Sequence, residues 1–76
     1  MSLNEIMFYK PCIVLNVENE HDIARRFLDI GIIPGAKIEK ILSSPFGGIQ
    51  AYSIMSSTIA IRDQDAKGIK VRYEEV

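Results

Sequence analysis

Leu28-Asp29-Ile30-Gly31-Ile32-Ile33-Pro34-Gly35 sets two glycines and a proline inside an otherwise apolar run, as a ligand-holding loop or a joint between two elements would. The flanking residues decide between them. Upstream, Ile23, Phe27 and Ile30, with Ala24 and Leu28 beside them, recur at spacings of three and four, while Arg25, Arg26 and Asp29 fall away from that stripe. That is the pattern of a helix packed on one side and wet on the other. Glu18-Asn19-Glu20-His21-Asp22 supplies its start, with Asn19 able to accept from the free backbone donors and acids near the positive end. Gly31 stands where a residue in the left-handed region closes a helix at no steric cost. Ile33-Pro34-Gly35-Ala36 then puts proline second and glycine third, which suits a type II turn. The stretch reads as a joint, with Gly31, Pro34 and Gly35 in structural roles.

Working outward, Ser2-Leu3-Asn4-Glu5 has capping-box spacing and predicts one helical turn that carries Leu3 and Ile6 inward. Cys12–Val17 is β-branched and too short for a helix, so it reads as the first strand. Lys37–Ser43 and Ile49–Met55 read as an antiparallel pair joined by Ser44-Pro45-Phe46-Gly47-Gly48. Ser56-Ser57 leads to a fourth strand at Thr58–Arg62, with Ile59 and Ile61 on one face. After a short helical crossover at Asp63–Gly68, Ile69, Val71 and Tyr73 alternate against Lys70 and Arg72 in a fifth. Five short strands at close spacing predict a mostly β protein, a small, partly open β-barrel with one α-helix inserted after the first strand.

The 76 residues are expected to form a single domain, 1–76, with a narrow stability margin. The apolar fraction of 47% with 25% charged residues is that of a folded chain. A net charge of −1 and a pI near 5.7 offer no electrostatic excess for phosphate backbones or anionic lipid, so nucleic acid is not an expected partner. No apolar run approaches the roughly 20 residues a bilayer span needs, and Met1-Ser2-Leu3-Asn4 is no signal peptide. A cytoplasmic location without membrane insertion is expected.

Chemistry is hard to assemble from these residues. Cys12, the single cysteine, lies in an apolar strand where a thiol is inert, and a core role is expected of it. His21 sits between Glu20 and Asp22, but consecutive helix residues point in different directions and no second His or Cys is available. A solvated cap is the expected role, and tight ferrous or zinc binding is not supported. Gly47-Gly48 precedes a strand, whereas phosphate cradles usually open a helix, so it reads as a hairpin loop. Arg25-Arg26 and the lysines at 37, 40, 67 and 70 are matched by acids and read as solvated surface. Phe46, at a loop tip between Pro45 and Gly47, is either folded back or offered to a partner. No catalytic, cofactor or metal residues are assigned.

Taken together, Arg25-Arg26-Phe27-Leu28-Asp29-Ile30-Gly31-Ile32-Ile33-Pro34-Gly35-Ala36-Lys37-Ile38 resembles the helix-to-strand signature of the FeoA family, small accessory proteins of bacterial ferrous-iron transport. The likeness continues in order through Ser44–Gly48, Ile59-Ala60-Ile61-Arg62, Ala66 and Ile69-Lys70-Val71. Related domains occur at the C-terminus of iron-dependent transcriptional repressors, and no DNA-binding half is expected to accompany this one. The resemblance implies an SH3-like β-barrel without enzymatic activity that acts beside the membrane transporter FeoB and its GTP-binding domain. Three departures stand out. Lys10-Pro11-Cys12 replaces a Pro-Gly before the first strand, Ser56-Ser57 replaces glycine between the third and fourth, and Phe27 replaces an aliphatic residue on the helix. Arg25, Arg26, Asp29 and Phe46 are the candidate contacts to FeoB. The competing reading is an SH3-like adaptor, unconnected to iron, that binds peptides or weakly self-associates through an exposed strand edge.

Overall fold

The computed structural model describes residues 1–44 and 47–74. A 3₁₀ turn at Leu3–Glu5 leads to β1 (Cys12–Val17), α1 (His21–Asp29), β2 (Lys37–Ser43), β3 (Ile49–Ile54), β4 (Ser57–Arg62), the short helix α2 (Asp63–Ala66) and β5 (Ile69–Tyr73). The strands form one antiparallel sheet in the order β4-β3-β2-β1-β5. The five strands and inserted helix are those expected; the sheet curls but does not close between β4 and β5. Alternation places the core on one face, so Val14, Ile38, Tyr52, Ile54, Ile61, Ile69 and Val71 are all buried with Cys12. Leu3 and Ile6, delivered by the N-terminal turn, join them.

That turn is held at both ends. The Ser2 amide donates to Glu5 Oε1 at 2.8 Å, as a capping box requires. The Ser2 hydroxyl donates to the Lys67 carbonyl at 3.0 Å and accepts from Lys70 Nζ at 2.8 Å. Met1 extends the outer edge of β5, accepting from the Val71 amide at 2.8 Å.

The departures before β1 and between β3 and β4 are both absorbed by left-handed residues other than glycine. Tyr9 has φ 60° ahead of Lys10-Pro11, and its amide donates to the Lys40 carbonyl at 2.8 Å. Between β3 and β4 the turn residues are Met55 and Ser56, one position earlier than the sequence suggests, with φ 50° and 66°. Ile54 pairs with Ser57 across them. Positive φ at both centres is the type I′ geometry, whose twist matches that of the strands.

Four expectations require correction. Asn19 does not cap α1: the N-cap is Glu20, without a side-chain bond, and Asn19 Nδ2 instead donates 2.8 Å to the Asp65 carbonyl. A tertiary acceptor has outcompeted the local one. Leu28 (58% exposed) and Ile30 are not on the packed face. Leu28 lies about 140° around the helix from Ile23, and Ile30 is the C-cap, where the backbone leaves the helix, so Ile32 takes the buried place beyond it. Lys40 is not solvated surface but 5% exposed, with Nζ donating to the Asn4 carbonyl at 2.9 Å and lying 5.5 Å from the Phe8 ring centroid. Lys70 is likewise engaged, by Ser2 and the Lys67 carbonyl.

Tyr52 presents the reverse case, since its hydroxyl is buried with no partner among the described residues. Burial, with the Asp63 charge adding to it, pushes the phenol well above its usual value near 10. The unfolded chain therefore loses this proton at about pH 10 while the folded chain keeps it. Stability is full below pH 10 and falls above it by about 1.4 kcal/mol per pH unit. Tyr52→Phe removes only an unpartnered hydroxyl, so neutral-pH stability should change by no more than about 1 kcal/mol. Denaturant titrations at pH 7 and 11 should find the variant gaining on the parent at the higher pH.

Candidate functional site

The joint opens as predicted and does more than turn the chain. α1 ends when the Gly31 amide donates to the Leu28 carbonyl at 3.1 Å and the Ile32 amide to the Phe27 carbonyl at 2.9 Å, with Gly31 at φ +96°. This is the two-bond Schellman closure, and Phe27 and Ile32 supply its apolar contact from within the core. Phe27, the unusual aromatic, is thereby seated as the residue that closes the helix. The Ala36 amide then donates to the Ile33 carbonyl at 3.0 Å with Gly35 at φ +93°, completing the type II turn. The Gly35 amide ties the turn to the Val14 carbonyl of β1 at 2.8 Å.

Gly31, Pro34 and Gly35 also line an open cleft of about 740 Å³, facing Ser53, Met55 and Ser56 at the β3–β4 hairpin. Its wall is mostly apolar: Ile33 is exposed, and Met55 (76% exposed) lays its sulfur over Gly31, within 2.8 Å of where a Cβ would stand. The alternatives of ligand loop and joint thus meet in one segment. Sequence reasoning missed this cleft because Met55 comes from a hairpin more than 20 positions away. The exposed Ile33 was a signal, but not of what lies opposite it.

The expected contact residues separate. Arg25 and Asp29 border a shallow depression of about 370 Å³ on the outer face of α1 with His21, Ala24 and Leu28. Arg26, their neighbour in sequence, turns toward β4 and borders a different, smaller cleft with Arg62. Phe46 lies outside the described residues. Cys12 is buried, its thiol donating to the Lys10 carbonyl at 3.4 Å, and burial pushes that thiol up, reinforced by Glu39. It is the core residue expected of it. Burial pushes Lys40 down, against the opposing charges of Asp63 and Cys12. No three His, Cys, Asp or Glu side chains are grouped to hold a metal ion among the described residues. No helix there is long and apolar enough to cross a membrane.

Comparison with protein families places residues 1–73 in the FeoA domain. The chain belongs to the FeoA family. Comparison with curated proteins returns no match. Among solved structures, the FeoA protein of Chlorobium tepidum superposes with a TM-score of 0.90 at 27% identity, over 96% of this chain and 70% of that one. The Stenotrophomonas maltophilia FeoA, complexed with zinc and described as a prokaryotic SH3 domain protein, gives 0.84 at 25% identity over 95% and 89%. A manganese-dependent transcriptional repressor matches at 0.86 and 20% identity, over 97% of this chain but 36% of its own length. That last likeness is one of fold alone, in keeping with the related domains in repressors. This FeoA domain keeps the SH3-like architecture while making two of its turns from Tyr9 and Met55-Ser56.

Proposed function

We propose that this FeoA-family chain is a non-enzymatic accessory subunit of ferrous-iron uptake that binds the cytoplasmic part of a FeoB-type transporter. The family match over residues 1–73 carries the reading. The Stenotrophomonas relative, considered as a bacterial ferrous iron transport activating factor, lends it support. The geometry is consistent with docking, since exposed Ile33 and Met55 flank the joint cleft while Arg25 and Asp29 stand on the outer face of α1. Arg26 faces the second cleft, and Phe46 remains a contact candidate on sequence grounds alone. The cytoplasmic part of FeoB, immobilised, should retain the folded protein. Charge reversal at Arg25, with Ile33→Ser, should weaken retention at least tenfold while leaving the circular dichroism spectrum unchanged. Absence of retention with a folded parent overturns the proposal.

The open sheet favours a second reading. In the sheet order β4 has a partner only in β3, and such an edge accepts an added strand from a peptide or a second copy. Sedimentation across a wide concentration range tests the self-association arm, and concentration-independent monomer counts against it.

A further inference from the structure

We infer that the cleft between α1 and β4 is a carboxylate-binding site that takes an acidic peptide segment from a partner protein. Arg26 and Arg62, 36 positions apart in sequence, border the same cleft of about 170 Å³. Neither guanidinium has an ion pair or hydrogen bond among the described residues. Two unpaired forks beside one small opening are suited to a planar anion, because each guanidinium presents parallel donors that match carboxylate or phosphate oxygens.

The remaining walls decide between those anions. Phe27 and Ile61 lie buried beneath the opening and Ile23 is half-buried at its edge, so the accessible lining is mainly polar. Asp65 also borders the cleft. Its carboxylate offers an acceptor to a peptide N–H, a donor that a phosphate dianion lacks. Cation and anion therefore stand around one opening, as the carboxylate and amide N–H of an acidic peptide require. The site rests on reading this chain as a partner-binding subunit, but not on which protein the partner is.

The test uses the full chain, isotopically labelled, and a short capped peptide carrying glutamate-leucine-glutamate between glycine-serine arms. Saturable amide shifts at Ile23, Arg26, Phe27, Ala60 to Arg62 and Asp65 are expected. Replacing both glutamates by glutamine, or introducing R26Q with R62Q, should weaken binding at least tenfold, and inorganic phosphate should bind more weakly than the peptide. Both substituted positions are exposed, and thermal melts establish that the double variant is folded. Phosphate binding as tightly as the peptide, shifts undiminished in the double variant, or no saturable shift at these residues overturns the inference. Because no transporter fragment is present, the outcome is separable from that of the retention experiment.

Discussion

Phe27→Ala should cost about 3–5 kcal/mol, the range for truncating a buried aromatic side chain and leaving its cavity. At the usual per-residue range, a chain of this length has about 4–11 kcal/mol of stability in total, so the variant should lose a large share of it. The loss is expected at the high end because Phe27 serves twice. It is 8% exposed within the core that Ile32 shares, and it is also the residue whose carbonyl accepts from the Ile32 amide to finish the helix. Removing the ring frees the C-terminal turn of a nine-residue helix, which is too short to persist without packing. Phe27→Leu, which restores the aliphatic type common in the family, should cost less than about 1.5 kcal/mol. Urea unfolding with unchanged slope is the measurement, and equal losses for both variants would show that helix closure does not depend on the ring.

Gly31→Val should cost about 2–3 kcal/mol. The position is held at φ +96°, where any side chain is strained and a β-branched one most so. The contact with Met55 adds little, since a thioether at the end of a flexible side chain can move aside. Two further variants separate these contributions. Gly31→Asn, tolerated in left-handed conformations, should cost about 1 kcal/mol. Met55→Ala in the Gly31→Val background should recover only a small part of the loss. Because Phe27 and Gly31 belong to one closure, their combined effect should be less than additive: once the ring is gone, the turn that strains Gly31 is already loosened.

The joint was legible in the sequence because each bond that closes its two turns links residues no more than five apart. Gly31 after an amphipathic stripe, and proline then glycine in the following turn, leave the backbone few choices, and the observed hydrogen bonds follow that order. Strand alternation is local in the same sense, so the inward faces of β4 and β5 could be assigned before any pairing was known. The misread helix face at Leu28 and Ile30 is a matter of local geometry, but the other errors arose where a distant group intervened. Asn19 is a good local cap, but the Asp65 carbonyl, 46 positions away, claims its amide. Lys40 looks like surface in a charged strand until the N-terminal segment folds over it and supplies the Asn4 carbonyl.

By itself, then, the sequence determined the elements, their boundaries to within a residue or so, the inward faces of β4 and β5 and the family, because periodicity and turn dihedrals are properties of neighbouring residues. Only the tertiary structure decided which surfaces exist. The β3–β4 hairpin brings Met55 over Gly31 to make one cleft, and α1 beside β4 brings Arg26 to Arg62 to make another. Such meetings are set by sheet register and by the direction in which a helix leaves its strand. No spacing along the chain records them, and at these docking surfaces the fold's contribution to function begins.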